Sequence, residues 1–197
     1  MKCKIFIITC FLFLLTSVLK GQDYYYSNNL KIHFEKAKNW IVIQVAKEDR
    51  PVFKQKVTLI RGLHIQQALK PERGIFWLKT DKETPMKIVL SEIEKRVKII
   101  RSIPAYFSLN VKDDTTRFIM SDEFRVKFYH HISRAEIEKI NAKYGVEILS
   151  ANMYDEYTLR LTEQSAFNTL ELANLYYESN LTIWSLPNFL ADIRLEG

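Results

Sequence analysis

Apolar and polar positions alternate most regularly between residues 122 and 189. Residues 124–129 alternate strictly, which predicts a half-buried strand with a basic and aromatic outer face. Similar short runs predict three further strands, at residues 146–149, 157–161 and 183–186. Stretches with helical spacing separate the first strand from the second and the third from the fourth. This half of the chain therefore predicts the element order βαββαβ.

Helix signals fill the two longer gaps between these strands. Ser133 and Glu136 have the spacing of a capping box, in which each side chain accepts a hydrogen bond from the other residue's backbone amide. An apolar stripe follows over residues 137–144, and Gly145 ends the helix because glycine adopts a left-handed conformation without steric cost. Apolar spacings of four, three and four residues predict the second helix over residues 166–177.

The first half of the chain predicts a similar series less clearly. Strands are predicted at Tyr24–Tyr26, before an Asn-Asn turn, and at residues 40–45, 75–79 and 99–107. Residues 51–62 favour a short helix between a proline and a glycine, although their β-branched side chains fit a strand nearly as well. Residues 86–98 predict an amphipathic helix after Pro85.

A polar stretch without aromatic residues, Asn110–Thr116, is the predicted boundary between the two halves. The predicted domain organisation has five parts: a signal peptide (1–21), an N-terminal module (22–109), a linker (110–121), a second module (122–190) and a C-terminal tail (191–197).

The two halves share a short sequence repeat. Residues 100–107, IRSIPAYF, align with residues 183–190, IWSLPNFL, with Ser, Pro and an aromatic residue in similar register. We therefore predict two tandem βαββαβ modules, the first of them degenerate; a coincidence between two ordinary α+β segments is the alternative. Because parallel crossovers are right-handed, each module is expected to form a four-stranded antiparallel sheet with both helices on one face.

The N-terminus has the pattern of a secretory signal. A basic segment, Met1–Lys4, precedes an apolar run over residues 5–19 that is short for a membrane span. Cleavage is predicted near Gly21, with a retained N-terminal anchor as the alternative, so we expect a secreted or periplasmic protein without membrane contact after cleavage. Both cysteines, Cys3 and Cys10, lie in this segment, which leaves no disulfide or cysteine metal site downstream.

Charge and composition argue against nucleic-acid binding and against catalysis. Three lysines of the signal segment supply half of the formal net charge of +6, so the remaining excess is too small to indicate nucleic acid. His130 and His131 are adjacent, so on a strand they point to opposite faces and cannot bind the same metal ion. The five glycines form neither a phosphate-binding loop nor a nucleophile elbow. We predict no catalytic residue, no metal and no cofactor, which makes an enzyme the weaker hypothesis.

A surface remains as the candidate site. With both helices on one side of the second sheet, the other side is predicted to present a docking face of basic, polar and aromatic side chains: Arg125, Lys127, Thr158, Arg160 and Trp184. Arginine and tryptophan on an uncovered face are typical of protein-binding patches. The alternatives are a solvated face and a face that the first module covers.

Three segments of the second half together resemble a known family: SDEFRVKF, ISRAEIEKINAKYGVEIL and NTLELANLYYESNLTIWSLPNF. They resemble the N-terminal prodomain of secreted subtilisin-like serine proteases of the fervidolysin type, peptidase family S8. The match is dense over Ser121–Phe189 and thinner over Tyr24–Phe107. The resemblance implies an α+β fold of two tandem ferredoxin-like βαββαβ modules. It also implies a subtilisin-like catalytic domain as partner. The prodomain would assist the folding of that domain and inhibit its active site, in cis or in trans.

The resemblance also implies roles for particular residues. In such prodomains the outer sheet face packs on two helices of the catalytic domain, which assigns that role to the docking face. The segment after the last strand enters the substrate cleft, and here that inhibitory tail would be Leu190, Ala191, Asp192, Ile193, Arg194, Leu195, Glu196 and Gly197. Asp155 and Glu156, in the turn between the second and third strands, are candidates for capping a helix N-terminus of the partner.

One departure from the family leaves the function open. Precursors of this family continue into a catalytic domain with an Asp, a His and a Ser, and none of that domain occurs in this sequence. The chain is therefore expected to be either part of a longer precursor or a stand-alone domain that acts in trans. A secreted adhesion or ligand-binding module of the same shape is a further alternative, since fold does not fix function. RNA binding is disfavoured because the middle strands present Arg and Thr where stacking aromatic residues are needed.

Overall fold

The computed structural model describes residues 23–108 and 117–192. The predicted signal segment, the predicted boundary Asn110–Thr116 and residues 193–197 of the predicted tail lie outside this range. The strands are β1 Tyr24–Ser27, β2 Leu30–Val45, β3 Leu63–Lys70, β4 Ile75–Thr80, β5 Ile99–Ser108, β6 Arg117–Phe128, β7 Val146–Ala151, β8 Glu156–Leu161 and β9 Thr182–Asp192. The helices are α1 Phe53–Val57, α2 Met86–Glu94, α3 Arg134–Tyr144 and α4 Thr169–Glu178, with short 3₁₀ helices at Lys47–Val52 and Pro71–Arg73.

The nine strands form one sheet in which every pairing is antiparallel. Seven strands follow the order β3-β4-β2-β5-β6-β8-β7, with β1 beside β2 and β9 beside β6. The order is β5-β2-β4-β3 in the first half (residues 23–108) and β9-β6-β8-β7 in the second half (residues 117–192). The predicted mixed α+β fold with antiparallel pairing is confirmed. The halves are not separate sheets, however, because β5 pairs with β6 where Tyr106 lies opposite Phe118.

Strand β6 begins inside the predicted linker, at Arg117. Phe118, Ile119 and Met120 supply an apolar run there, and Ile119 and Met120 are buried. The backbone of this run pairs with β9 along one edge and, at Phe118, with β5 along the other. Residues 117–121 therefore belong to the sheet, and the predicted linker was too long at its C-terminal end.

Local signals explain the helix boundaries of the second half. The Ser133 hydroxyl accepts a hydrogen bond from the Glu136 amide, the Glu136 carboxylate accepts one from the Ser133 amide, and Gly145 ends α3 with a φ of 64°. The predicted capping box and C-terminal glycine are both confirmed. Helix α4 begins later than predicted because Asn168 and Glu171 form a second capping box.

The first-half helix predicted over residues 51–62 is present but shorter. A 3₁₀ helix that includes Pro51 leads into α1, where Phe53 and Val57 are fully buried. The chain leaves this region through Gly62, whose φ of 74° suits glycine.

An N-terminal hairpin, formed by β1 and β2, ties the first half to the second. Asn28 and Asn29 connect the two strands with φ angles of 48° and 63°, as in a two-residue type I′ turn. The hydroxyls of Tyr24 and Tyr26 donate hydrogen bonds to Glu178 Oε1 of α4 at 2.9 and 2.8 Å. Strand β2 therefore starts ten residues before the predicted strand, because its first part pairs with β1.

Buried side chains form three clusters. One cluster in each half lies between helices and sheet, and its members include Ile43, Phe53, Leu78 and Ile93 in the first half and Phe124, Ile137, Leu159 and Leu172 in the second. A third cluster joins the halves and includes Trp40, Val42, Trp77, Ile119, Met120 and Leu170. Because Trp40 and Val42 alternate with residues that face the helices, the second half covers the opposite face of the first-half sheet at this point.

Candidate docking face

The predicted docking residues lie on one face of the second-half sheet, on strands β6, β8 and β9: Arg125, Lys127, Thr158, Arg160 and Trp184. On β6 and β8 they alternate with side chains that pack against α3 and α4, such as Phe124 and Leu159. Alternation along a strand places neighbours on opposite faces, so these side chains point away from the helices.

Arg125 lies at the centre of the docking face. Its backbone pairs with Thr158 on one side and with Leu186 on the other, and Lys127 lies opposite Trp184. The Arg125 guanidinium carbon is 5.8 Å from the Trp184 ring centre, within cation–π range. The Arg125 side chain is 60% exposed, so it remains accessible to a partner.

Glu156, the first residue of β8, is the carboxylate nearest this basic pair. Its side chain is 3.9 Å from Arg125 Nη2 and 3.7 Å from Lys127 Nζ, and it accepts a hydrogen bond from Asn152 Nδ2 at 3.0 Å. Exposed ion pairs at such distances contribute little stability. Glu156 thus partly offsets the positive charge of the docking face, and its carboxylate already interacts with side chains of this chain.

Asp155, the other predicted capping residue, also has a partner within the chain. It adopts a left-handed φ of 58°, and its Oδ2 lies 2.9 Å from His130 Nδ1. The tip of the same turn carries two exposed apolar residues, Met153 and Tyr154, at 87% and 64% exposure. Sequence reasoning missed these two, although apolar residues inside a predicted turn are a signal of a contact surface.

Arg160 lies at the end of the docking face nearest the first half. Its Nε is 2.5 Å from Glu147 Oε1, and its backbone lies opposite Glu123 of β6. It also lines a cavity together with Arg73 of the first half. The predicted alternative, that the first module covers the face, therefore applies to this end of the docking face.

The predicted inhibitory tail begins too early. Leu190, Ala191 and Asp192 belong to β9 and pair with Ile119, Phe118 and Arg117 of β6. Hydrogen bonding to β6 fixes their backbone, so only residues after Asp192 are candidates for a segment that enters a partner's cleft.

The described residues contain no group of three or more His, Cys, Asp and Glu side chains arranged to hold a metal ion. Within the same residues, no helix is long and apolar enough to cross a membrane.

Comparison with family models, curated proteins and solved structures finds no match to this chain. The functional argument therefore depends on the residues of the docking face themselves.

Proposed function

We propose that this chain is the prodomain of a secreted subtilisin-like serine protease. It acts as a folding chaperone and active-site inhibitor, either in cis within a longer precursor or in trans. The observation that carries the proposal is the docking face, on which Arg125, Lys127, Thr158 and Trp184 lie together on the side of the sheet opposite α3 and α4. The sequence resemblance is densest over the same residues.

We further propose that each half is a ferredoxin-like βαββαβ module. The equivalent strand orders, β5-β2-β4-β3 and β9-β6-β8-β7, support this interpretation. In both halves helical segments follow the first and third strands of the unit. The first half departs from the pattern through its short α1 and its added strand β1, as a degenerate module would.

The docking face suits a partner surface that offers carboxylates around an apolar patch. Trp184 supplies a large, rigid apolar area, and Arg125 and Lys127 supply charge beside it. Tryptophan and arginine are the residues whose truncation most often costs about 2 kcal/mol or more of binding free energy. The exposed turn with Met153 and Tyr154 offers a second contact beyond β7 and β8.

The inhibitory segment in this proposal starts after Asp192. Pairing of β9 with β6 holds the backbone in the sheet as far as Asp192 and so anchors the start of the segment. An anchored segment loses less conformational freedom on entering a cleft than a free peptide does, which favours inhibition.

Inhibition and refolding assays with a subtilisin-like protease test the proposal. The purified chain is expected to inhibit the active protease and to speed refolding of the denatured protease. The double variant Trp184→Ala, Arg125→Ala should raise the inhibition constant by about tenfold or more while keeping the far-UV circular dichroism of the wild type. The control variant is Lys139→Ala, an exposed charge on α3, on the other side of the sheet.

Two results would count against the proposal. Absence of both inhibition and faster refolding across several subtilisin-like proteases would favour a stand-alone binding module instead. An unchanged inhibition constant in the double variant would show that binding occurs elsewhere. A reading frame that continues into a domain with the Asp, His and Ser of a subtilisin would support action in cis.

A further inference from the structure

A groove of about 340 Å³ lies on the surface of the first half, between the turn that follows α1 and one side of α2. Its walls are mainly aliphatic, and two guanidinium groups lie among the aliphatic side chains. The aliphatic residues are Leu59, Ile60, Ile88 and Val89, and the arginines are Arg61 and Arg96. The groove therefore combines an apolar wall with positive charge.

Two of the aliphatic side chains protrude into solvent. Leu59, in the turn before β3, is 90% exposed, and Ile88 of α2 is 59% exposed. The neighbouring Ile60 and Val89 are buried in the first-half core, so packed side chains hold the backbone beneath the protruding pair. Single exposed apolar residues are common, but this pair lines one groove and so forms a patch.

Positive charge is concentrated in the two segments that form this groove. Residues 53–62 and 84–98, which contain α1, its turn and α2, include seven basic and two acidic residues, a net charge of +5. The whole chain after residue 21 has a net charge of only +3, so the rest of it is net negative. The basic character of the chain therefore belongs to this surface.

Ion pairs within the chain neutralise only part of the charge at the groove. Glu92, an acidic residue of the groove wall, lies 2.5 Å from Lys95 Nζ and 3.0 Å from Arg96 Nη1, so one carboxylate faces two cations. Arg61, on the opposite wall, is exposed and has no ion pair within the described part of the chain. The mouth of the groove thus presents net positive charge to a partner.

The composition of this surface favours a lipid membrane over a protein partner. Protein interfaces are enriched in aromatic residues and poor in lysine. Here the exposed apolar residues are aliphatic, and the one aromatic residue of the two segments, Phe53, is fully buried. Three exposed lysines lie on the same segments, Lys54, Lys87 and Lys95. Aliphatic side chains among lysines and arginines are typical of surfaces that lie on anionic membranes.

The position of the groove leaves it accessible to a flat surface. Helices α1 and α2 pack on the face of the first-half sheet that carries Ile43, whereas the second half packs on the opposite face around Trp40 and Val42. The high exposure of Leu59 and Ile88 shows that the second half does not cover the groove. A peripheral contact of this kind needs no helix that spans the bilayer.

We propose that this groove and the basic residues around it bind the surface of an anionic lipid membrane. Leu59 and Ile88 enter the boundary of the acyl chains, and Arg61 binds the lipid phosphates. This contact differs from the expectation drawn from the sequence, that membrane contact ends when the signal segment is cleaved. It uses no residue of the docking face, so it holds whether or not the chain inhibits a protease.

Co-sedimentation with lipid vesicles tests the proposal on the secreted form of the chain, which lacks the apolar signal segment. One set of vesicles contains phosphatidylcholine alone, and the other contains phosphatidylcholine and phosphatidylglycerol in equal amounts. We expect binding to the anionic vesicles only, weakened by added salt because salt screens exposed charges. The double variant Leu59→Ser, Ile88→Ser should bind about tenfold or more weakly, since two aliphatic side chains no longer leave water. Arg61→Gln should bind about fivefold more weakly.

Two further variants are matched controls. Leu30→Ser removes a leucine that is 65% exposed in the N-terminal hairpin, and Lys139→Gln removes an exposed charge of α3. Both should bind anionic vesicles as the wild type does. All variants change exposed side chains and should keep the far-UV circular dichroism of the wild type. If Ile88→Ser disturbs α2, Leu59→Ser alone is used and should weaken binding several-fold.

The proposal is overturned if the wild type does not bind anionic vesicles, a result that would favour a protein as the partner of this surface. Equal binding to both kinds of vesicle would also overturn it, because the basic residues would then have no role. The same holds if the Leu59 and Ile88 double variant keeps the affinity of the wild type. An equal loss of affinity in Lys139→Gln and Arg61→Gln would mean that binding follows net charge and not this groove.

Discussion

Asp49 links the 3₁₀ helix after β2 to the start of β5. The residue is 9% exposed, and its carboxylate accepts hydrogen bonds of 2.8 Å from Lys56 Nζ and from the Lys98 amide. These two donors lower the pKa of Asp49, the Lys56 ammonium most. The charged form is therefore more stable in the folded protein than in the unfolded chain.

We expect Asp49→Asn to lower the free energy of unfolding by about 1–3 kcal/mol at pH 7, since a charged acceptor is lost. A lowered pKa gives stability that is present above the unfolded pKa and is lost as pH falls through the folded pKa. The difference between wild type and variant should therefore shrink below about pH 4. Urea unfolding at pH 7 and pH 3 measures it, and a pH-independent difference would refute this role.

Tyr176 has a buried hydroxyl, and its pKa shift changes stability with pH in the opposite direction to that of Asp49. Its hydroxyl donates a 2.6 Å hydrogen bond to Asn141 Oδ1, and burial raises its pKa above the usual value. The folded state thus keeps a proton that the unfolded chain releases near pH 10, and stability falls as pH rises above that value.

Tyr176→Phe should be less stable than wild type at pH 7 by about 1 kcal/mol, because Asn141 loses its donor. Above pH 10 the stability of the variant should fall with pH less steeply than that of the wild type, and the two slopes should differ by up to about 1.4 kcal/mol per pH unit. Arg101, whose pKa is lowered, acts in the opposite direction in both proteins, so the difference in slope is the quantity to measure. Equal slopes in alkaline urea titrations would contradict the assignment.

At the scale of elements, two glycines that follow helices, Gly145 directly after α3 and Gly62 in the turn before β3, have positive φ angles but differ in their surroundings. A Cβ at Gly145 would lie 2.9 Å from the Ser165 backbone nitrogen, whereas one at Gly62 would lie 2.5 Å from the Thr84 hydroxyl. A side chain can rotate away from a new methyl group, but a packed backbone cannot do so without moving the loop.

Gly145→Ala is therefore expected to cost more stability than Gly62→Ala. The left-handed conformation alone costs about 1–2 kcal/mol in each variant, and the displacement of Ser165 adds to this only at Gly145. Chemical denaturation of the two variants in parallel gives the comparison. A larger loss for Gly62→Ala would show that Thr84 is the more rigid neighbour.

How much of the fold can be predicted from the sequence depends on whether an element is determined by residues near it or far from it in the chain. Both ends of α3 are predictable because Ser133, Glu136 and Gly145 act within one helix. The start of β2 also carries a local signal, because apolar and polar residues alternate over residues 30–35, but the prediction missed it and began the strand at residue 40. The position of Arg125 and Thr158 on one face of the sheet is predictable, because side chains alternate between the two faces along each strand. The hydrogen bond from Arg101 to the Thr162 carbonyl is not predictable, because the two residues are 61 positions apart in sequence.

At the scale of the whole molecule, the hydrophobic cluster between the halves makes the stability of each half depend on the other. Leu170 of α4 is fully buried there, in the same cluster as Trp40 and Trp77 of the first half. Ion pairs across the junction, such as Lys70 with Glu123, reinforce this contact.

Leu170→Ala is expected to destabilise both halves together, by about 2–5 kcal/mol. Hydrogen exchange should show lower protection in β2 and β5 as well as in β6 and β9. Leu59→Ala, a control at a side chain that is 90% exposed, should change stability by less than about 0.5 kcal/mol. Loss of protection in the second half alone would mean that the halves unfold independently.

The N-terminal hairpin gives the molecule a late step in its biosynthesis. Tyr24 and Tyr26 find their acceptor, Glu178, only after more than 150 further residues have been made. At typical rates of translation this takes on the order of ten seconds, during which the two tyrosine hydroxyls lack this acceptor. Docking of the hairpin therefore follows completion of α4, and fluorescence quenching of these tyrosines would time the last stage of folding as the chain emerges.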